Sequence, residues 1–427
     1  TFQLVNSSNT ATARAVTLDY RNPTNVVRLS PACSTPTVQP TCQDDALFYS
    51  TVYNALQGKN SRGIGRVYID YAVTDHVKAF ADIMYSRVDG YGIFQPAFSS
   101  AAGGGTMPVS LKGDNAFLAG STSTDAALRA EWLAAGKTLT STSTANVGKF
   151  WVEFGGRDVK TERETTRYVL GLQGDFEALG RKLYWEGYGQ FGKTTGTTVS
   201  FNVPQVARVQ QATDAVVVGG QIVCRDVTAR AAGCVPWNLI DGPSAAAIAW
   251  TNASSTTDQE VKQTVVGANI SGDLLQLPAG PLGFSIGGEY RKEESRFVQD
   301  ALGASGALFF NAIGTRQGDY DVKEAFAEVR VPVLKDAPFA KELSLEFAGR
   351  SSDYSSIGRT DQYTARVEWK LWDDLTIRAN QGTAVRAPNI VELYSPQSVN
   401  FTTTAVDPCD KDVFASSTAA QKAARAI

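Results

Sequence analysis

The sequence predicts an all-β protein, a segment of a transmembrane antiparallel β-barrel with long extracellular loops. Three observations predict it: long strands with period-two alternation, charged residues on only one face of those strands, and short turns that alternate with long connections. The chain has 427 residues, a net charge of -3, 38 glycines and 10% aromatic residues. No run of about 20 apolar residues occurs in it, so we expect any membrane span to be made by strands.

The clearest hairpin lies between residues 363 and 383. From 363 to 371 apolar side chains alternate with Arg366, Glu368 and Lys370, and a second alternating strand, 375 to 383, follows Asp373-Asp374. A strand of about 11 residues tilted near 45° covers about 25 Å, the height of the apolar band of an outer-membrane barrel. An arginine or lysine against lipid at mid-depth costs about 2 to 4 kcal/mol, so the charged side chains are expected to face the lumen.

Turn signals divide the chain into two predicted regions. Residues 1–63 lack a sustained period, which indicates an extracellular loop region with a possible short strand at Phe2 to Val5. Residues 64–427 are predicted to be a partial barrel with about ten spanning strands in five hairpins between 64 and 386, ending in an extracellular loop at 387–427. The predicted turns lie at 74–76, 177–180, 277–281, 334–341 and 373–374.

The positions of the two chain ends add a further expectation. Both emerge on the side of the long connections, whereas a complete single-chain barrel is expected to begin and end on the side of the short turns. We therefore expect this chain to be a middle piece of a larger barrel.

The long connections contain their own signals. Asp125 to Ala135 is predicted to be a short helix with Gly136 at its C′ position. Phe150 to Gly155 and Thr161 to Tyr168 are predicted to be strand extensions that stand above the membrane. The aromatic residues of the connections either stack on a ligand or pack within the loops; they are Phe94, Trp132, Trp237 and Trp250.

The cysteines indicate an oxidising compartment. Cys33 and Cys42 form one close pair, Cys224 and Cys234 form another, and Cys409 stands alone. Neither pair has a Cys-x-x-Cys spacing or a neighbouring histidine, so two local disulfides are favoured over structural zinc. Each disulfide would stabilise the fold by about 2 to 3 kcal/mol.

Several other chemistries find no support in the sequence. The net charge and the absence of a basic stripe argue against nucleic acid. His76, the only histidine, lies in a turn and is expected to be solvated. Asp44-Asp45 and Glu293-Glu294 lack the spacing of a calcium loop. No catalytic constellation, metal site or cofactor site is predicted.

Six motifs in a fixed order span about half the chain, and each is weak alone. They are Cys224-Arg225-Asp226, Gly233-Cys234-Val235-Pro236-Trp237-Asn238, Gly283 to Arg291, Ala348 to Tyr354, Val385 to Pro396 and Asp407-Pro408-Cys409. Together they resemble the barrel of the TonB-dependent outer-membrane receptors of Gram-negative bacteria.

The resemblance implies a 22-stranded barrel filled by an N-terminal plug, with the TonB complex acting through a motif on that plug. The plug, that motif and the final strands are expected to lie outside this chain, and Cys409 is expected to pair with a cysteine beyond residue 427. The implied partners are outer-membrane lipid, the TonB complex and a small scarce nutrient of the iron-siderophore or oligosaccharide class. The implied location is the outer membrane, and the implied activity is transport rather than catalysis.

Charged residues on the predicted lumen face have two readings. They could guide a ligand, or they could pair with each other and, in a plugged barrel, hold the plug; the second reading is favoured. The residues are Arg66, Asp70, Glu186, Glu289, Arg291, Glu324, Glu328, Arg330, Glu346, Arg350, Arg366, Glu368 and Arg378.

Two other classes of protein fit the alternation. One is a passive porin-like channel or a surface adhesin barrel, which would carry no plug sequence upstream. The other is a secreted β-rich glycan enzyme, which would be active without detergent. The motif set argues against the first, and the missing pair of catalytic carboxylates argues against the second.

Overall fold

The structure is a computed structural model that describes residues 2–4, 14–19, 22–28, 53–99, 107–118, 123–178, 180–240 and 242–397. In the first three ranges and at 123–125 it describes the backbone alone. Cys33, Cys42, Cys409 and residues 398–427 lie outside the described residues, as does most of the predicted loop region 1–63.

Strands dominate the described residues. In chain order they are β1 Phe2–Leu4, β2 Arg14–Asp19, β3 Asn22–Arg28, β4 Lys59–Thr74, β5 Val77–Phe94, β6 Phe98–Ser99, β7 Ser110–Lys112, β8 Thr144–Val147, β9 Lys149–Phe150, β10 Arg157–Ala178, β11 Arg181–Ser200, β12 Ala215–Val218, β13 Gln221–Cys224, β14 Ser255–Leu277, β15 Gly280–Gln299, β16 Arg316–Ala337, β17 Ala340–Tyr354, β18 Gly358–Lys370 and β19 Thr376–Gly382.

The helices are short. They are α1 Ser123–Ala134, α2 Val206–Thr213, α3 Val227–Ala231, α4 Ala245–Thr251, α5 Ala301–Ala304 and α6 Ile390–Tyr394. Within the described part of the chain, no helix has the length and apolarity needed to cross a bilayer. Gly136 follows α1 with φ +74°, the left-handed conformation that ends a helix.

Ten strands form one antiparallel sheet in the order β19-β18-β17-β16-β15-β14-β11-β10-β5-β4. Consecutive strands pair directly, so the sheet is a meander that remains open between β4 and β19. Tight turns join the strands of each hairpin at one end of the strands, which we call the lower end. The long connections and the β17–β18 turn lie at the opposite end, which we call the upper end.

The longest strands are about twice as long as a bilayer needs. β10 has 22 residues and β14 has 23, whereas 9 to 11 residues span a membrane. On β15 the apolar alternation runs from Leu282 to Tyr290 and gives way to Lys292 above it. On this face of the sheet, the lower half of β15 is therefore apolar, whereas its upper half carries charged side chains.

A second sheet lies among the upper connections, in the order β3-β2-β1-β8-β7. It joins the N-terminal strands to the connection between β5 and β10, since Phe2 pairs with Val147. β1 agrees with the strand predicted at Phe2 to Val5. β2 and β3 were not predicted, because the surrounding Asn, Thr and Pro residues obscure their alternation.

Several element bounds differ from the sequence expectation. β4 begins at Lys59, before the predicted start at Ile64, because backbone pairing with β5 continues through a stretch with little apolar alternation. The fourth turn is tighter than predicted, with only residues 338 and 339 between β16 and β17. Within the predicted loop at 387–397, residues 390–394 form α6.

The prediction of an extended segment from Phe150 to Gly155 is wrong. β9 ends at Phe150, and Val152–Phe154 forms a single 3-10 turn. Phe154 is buried against Trp237, so packing in the loop core decides the local backbone. Thr161 to Tyr168 lies within β10 as predicted.

The apolar core of the described residues is found in the upper connections. Its members include Leu128, Trp132, Trp151, Val209 and Trp237, each 0% exposed. They come from the connection between β5 and β10 and from the connection between β11 and β14. We call this body, residues 107–156 and 201–254 where described, the loop unit.

Candidate functional site

The strand register divides the ten-stranded sheet into two faces. We call the face that carries Glu324, Glu328 and Arg330 the polar face, and the face that carries Ala325, Ala327 and Val329 the apolar face. Directly paired residues share a face, so the register can be followed from strand to strand. All charged residues of the predicted lumen row, from Arg66 on β4 to Arg378 on β19, lie on the polar face by this test.

A chain of hydrogen bonds crosses six neighbouring strands on the polar face. It begins at Arg66, whose Nε and Nη2 donate to the two carboxylate oxygens of Asp82 at 2.8 Å each. Arg167 Nη1 donates to the same carboxylate at 3.2 Å. Asp82 is 7% exposed, so two guanidinium groups neutralise one buried carboxylate between them.

The chain of hydrogen bonds continues through the amide side chains of two glutamines. Arg167 donates to Gln190 Oε1 at 2.8 and 3.0 Å, and Gln190 Nε2 donates to Gln263. Gln263 Nε2 then donates to Glu293 Oε1 at 2.7 Å. Each link joins neighbouring strands, so the series holds β4, β5, β10, β11, β14 and β15 together beyond the backbone ladder.

The remaining strands carry ion pairs on the same face. Glu324 accepts from Ser352 Oγ at 2.6 Å and lies 3.4 Å from Arg350 Nη1. Across the next pairs, Arg366 lies 3.3 Å from Glu346 and Arg378 lies 3.2 Å from Glu368. The charged row thus pairs largely with itself, which agrees with the part of the favoured reading in which these residues pair with each other.

Three aromatic rings lie flat on the polar face over glycines of neighbouring strands. A Cβ at Gly171 would lie 2.3 Å from the Phe80 ring, one at Gly267 would lie 2.9 Å from the Tyr188 ring, and one at Gly287 would lie 2.5 Å from the Phe326 ring. Only glycine leaves this room, because any side chain would force the ring outward. Tyr188 also donates to Glu289 at 3.0 Å. The glycines keep these rings against the wall and leave the space beside the face open.

At least two of the four predicted loop aromatics pack inside the loop unit. Trp132 and Trp237 are fully buried, and Trp151 packs edge-on against Trp237 with ring centroids 5.3 Å apart. Trp250 packs against the Arg208 guanidinium at 5.2 Å. Phe94 is 51% exposed and is the one residue of the predicted four that presents more than half of its surface. Packing within the loops is therefore the role of at least two of the four.

A disulfide closes a loop within the connection between β11 and β14, and an ion pair joins that connection to the one between β5 and β10. Cys224 and Cys234 form the disulfide predicted from their spacing. Arg225 Nε contacts Asp214 of the same connection at 2.9 Å, and its Nη2 contacts Asp114 at 2.6 Å. The contact with Asp114 ties the segment between β11 and β14 to the segment between β5 and β10.

Asp226 caps the helix that lies inside the disulfide loop. Its Oδ1 accepts from the backbone N–H of Thr228 at 2.8 Å and of Ala229 at 3.0 Å. The Ala229 N–H, together with the Gln211 amide, holds the pKa of Asp226 below its usual range, because both bonds favour the ionised carboxylate.

The segment after β19 folds back onto the polar face near the upper end. Asn389 and Glu392 form a capping box at the start of α6, and Arg386 pairs with Glu392. Tyr394 donates to the carbonyl of Asp319 at 2.9 Å, and its ring covers Gly318. Gly318 lies on the same face as Glu324, so this segment projects over the space beside the polar face.

His76 lies in the turn between β4 and β5 with a side chain that is 71% exposed, as the sequence predicted. Its Nδ1 also lies 2.9 Å from Asp175 of the next hairpin. Among the described residues, no group of three or more His, Cys, Asp or Glu side chains is arranged to hold a metal ion.

Of the six residues in the hydrogen-bonded chain, only Arg66 belongs to the lumen row predicted from the sequence. The other five are Asp82, Arg167, Gln190, Gln263 and Glu293. On β14 the polar face reads Gln263, Val265, Gly267 and Asn269, which does not contrast sharply with the apolar face. Strand register, rather than composition, assigns such residues to a face.

Comparison with known proteins gives one family match. The model of the family described as TonB dependent receptor-like, beta-barrel matches residues 105–409. The search of curated proteins found no match. Among solved structures, the RagAB peptide transporter matches with 12% sequence identity and a TM-score of 0.36, covering 74% of this chain and 31% of that chain. This chain thus spans less than a third of that transporter chain.

Proposed function

The chain belongs to the TonB-dependent receptor-like β-barrel family, and we propose that it forms part of an outer-membrane receptor that takes up a scarce nutrient. The hydrogen-bonded chain on the polar face is the observation that carries the proposal. A face held together by Arg66, Asp82 and Arg167 cannot lie against hydrocarbon, where a charged side chain costs about 2 to 4 kcal/mol at mid-depth. It therefore lines the lumen.

The apolar face meets the requirements of lipid. On β11 it runs from Leu183 through Trp185 to Phe191, and on β15 from Leu282 to Tyr290. Nine residues at about 3.3 Å each, tilted near 45°, cover about 21 Å, close to the apolar band of outer-membrane barrels. Trp185 marks the lower edge and Phe191 and Tyr290 the upper edge, as expected for aromatic rows at the two interfaces.

The arrangement of connections gives the orientation. The tight turns of the lower end would face the periplasm, and the loop unit would stand outside the cell, where a disulfide such as Cys224–Cys234 persists. We propose that further strands close the sheet between β4 and β19 and that the complete receptor has 22.

The polar face leaves space in the proposed lumen for a folded domain. The rings of Phe80, Tyr188 and Phe326 lie against the wall, and much of the charged row is already paired within the sheet. We propose that a plug domain occupies this space and contacts the residual donors and acceptors of the polar face. Energy would come from the TonB complex through that plug, and the role is transport rather than catalysis.

The test deletes the full-length gene that encodes this chain from its host and then restores the gene. Outer-membrane fractionation should recover the product, and growth should fail on one limiting nutrient of the iron-siderophore or oligosaccharide class. Uptake of that nutrient should stop when TonB is inactivated.

Uptake that continues without TonB, together with a steady conductance in planar bilayers, would identify a passive channel instead. Recovery of the protein from the soluble fraction would contradict both accounts.

A further inference from the structure

Three arginines lie in one row on the upper part of the polar face. Arg62 on β4 and Arg163 on β10 pair directly with the same residue of β5. The row continues through directly paired positions of β11, β14 and β15 to Arg316 on β16. We call these three residues the arginine row. Arg163 stands five residues above Tyr168, the partner of Phe191, so the row lies about 12 Å above the proposed membrane edge.

The arginine row differs from the arginines below it on the same strands. Arg66 and Arg167, each four residues further down, share the Asp82 carboxylate. The exposed side chains of Arg62 and Arg163 form neither an ion pair nor a hydrogen bond within the described part of the chain. The lower level of the polar face is therefore closed by its own hydrogen bonds, whereas the upper level keeps free donors.

Arg316 has a free donor as well. Its guanidinium packs against the Phe297 ring at 5.2 Å, and its Nε is buried without a hydrogen-bond partner among the described residues. A buried N–H group without an acceptor is unfavourable, so an oxygen brought by a ligand would stabilise it.

The polar face around the arginine row lacks compensating negative charge. On the described strands from β4 to β16, the level of the row and the levels directly above and below it contain no Asp or Glu on this face. They contain threonine, serine, amide, glycine and apolar residues besides the arginines. A concave wall with one sign of charge attracts ions of the opposite sign.

The opposite face of the same wall is balanced at this height. Lys160 lies 3.0 Å from Glu162, and Arg87 lies 3.2 Å from Glu164. These four residues alternate along β5 and β10 with the residues of the polar face. The excess positive charge is therefore confined to the side of the wall that would face the lumen.

Four threonines frame Arg163. Thr161 and Thr165 flank it on the polar face of β10, and Thr198 and Thr194 lie opposite them on β11. The hydroxyl oxygens are 3.3 Å apart in the upper pair and 3.0 Å apart in the lower pair. Each pair uses one hydroxyl hydrogen between its two oxygens, so one donor of each pair remains for a ligand. The residue directly opposite Arg163 is a glycine, which leaves room between the pairs.

We propose that the arginine row and these threonines bind an anionic nutrient that carries carboxylate or phosphate groups. The Cα atoms of Arg62 and Arg163 are two strand spacings apart, about 10 Å, so the two long side chains can hold separate anionic groups of one ligand. Guanidinium groups form paired, charge-assisted hydrogen bonds with both kinds of group. A neutral sugar would leave the charge of the row unmatched. The inference rests on the proposed uptake function and names the chemical class of its nutrient.

The test uses the full-length receptor, purified in detergent, and phenylglyoxal, a reagent that modifies accessible arginines. Peptide mass spectrometry measures the reaction rate at each arginine separately. Arg163 should react at least about tenfold faster than the hydrogen-bonded Arg167. Citrate or pyrophosphate, at constant ionic strength, should slow the reaction of Arg163 about tenfold, whereas the neutral sugar maltotriose should not. Comparison of citrate with pyrophosphate separates a carboxylate ligand from a phosphate ligand.

The variant Arg163→Gln removes one cation of the row. Half-protection of Arg62 should then require about tenfold more of the protecting anion. The matched control, Lys160→Gln, removes a cation from the opposite face of the same strand and should leave the protection of Arg62 unchanged.

Three results would each overturn the proposal. If Arg163 does not react in the folded receptor, another part of the receptor, such as the plug, covers it. If maltotriose protects Arg163 as well as the anions do, the site does not select charge. If neither anion protects it, the row is merely solvated.

Uptake by cells gives an independent readout. The nutrient found in the growth test should enter cells that carry Arg163→Gln with a higher half-saturating concentration and an unchanged maximal rate. Uptake that continues without TonB, with Arg163 still protected by anions, would contradict the proposed function and leave the anion site in place.

Discussion

The sheet and the loop unit are stabilised in opposite ways. The loop unit buries Trp132, Trp151 and Trp237 completely, as a water-soluble domain does. In the sheet, by contrast, Leu170 is 63% exposed and Val266 is 57% exposed. In the proposed receptor the sheet is completed by its surroundings, with lipid on one face and a filled lumen on the other, whereas the loop unit carries its own core. The same chain therefore obeys two different rules for where apolar residues lie.

Breaking the loop core should have the largest effect while leaving the sheet intact. Trp237→Ala removes a fully buried ring that packs on Trp151 and Phe154, which costs about 3 to 5 kcal/mol. Limited proteolysis of the full receptor should cut the loop unit rapidly, while the heat-dependent gel mobility typical of a folded barrel stays unchanged. The control, Trp372→Ala, removes a ring that is 49% exposed and should leave the loop unit resistant. Loss of the gel shift in Trp237→Ala would show that the two regions are not independent.

A charge on the wrong face of the sheet should rank second. Ala268→Arg places a guanidinium on the lipid-facing surface, opposite Gly187 at the middle of the apolar part of β11, and should destabilise the receptor in vesicles by about 2 to 4 kcal/mol. Its neighbour Asn269 lies on the polar face, so Asn269→Arg should cost about 1 kcal/mol or less. Urea unfolding in lipid vesicles measures both. Equal costs at the two positions would contradict the assignment of faces.

The hydrogen-bonded chain should give an intermediate effect. Asp82→Asn removes the charge that pairs with Arg66 and Arg167, and it should cost about 1 to 3 kcal/mol in the same unfolding experiment. Asp70→Asn, an exposed carboxylate on the polar face of β4, serves as the control and should change stability by less than about 0.5 kcal/mol. If the two variants behaved alike, the chain across β4, β5 and β10 would not contribute to stability.

The cap at Asp226 should give the smallest effect, seen only in acid. Its pKa is lower in the folded protein than in the unfolded chain, so its contribution is present above about pH 4 and is lost as the pH falls through the folded value. Resistance of the loop unit to an acid-tolerant protease should therefore decline below about pH 4. In the variant Asp226→Asn, part of this loss of protease resistance in acid should be absent. If the variant and the unmodified protein had identical pH profiles, the Asp226 cap would make no pH-dependent contribution to stability.

The sequence predicted the sheet better than it predicted the loop unit. Strands such as β15 and β18 follow from alternation, because one face must be apolar over a fixed height. The disulfide at Cys224 and the C-terminal glycine of α1 follow from equally local signals. The 3-10 turn at Val152–Phe154 and the strand pairing of β1 with β8 do not, because each depends on partners far away in the chain.

The polar face shows the same limit at the level of single residues. The alternation of charged and apolar residues along β18 placed Arg366 and Glu368 on the polar face, because their charges contrast with the apolar side chains between them. Gln263 and Gly267 gave no such contrast, and only their pairing with Gly192 and Tyr188 assigns them. A glycine that makes room for a ring on the next strand cannot be recognised until the two strands are in register.

The central claim is that one face of the sheet meets lipid and the other lines the lumen. Spin labels placed singly at residues 264 to 270 of β14, in the full receptor reconstituted in vesicles, test it most directly. Collision with oxygen, which concentrates in lipid, should peak at 266, 268 and 270, whereas collision with a water-soluble nickel complex should be higher at 265, 267 and 269. An absent or inverted alternation would contradict the account.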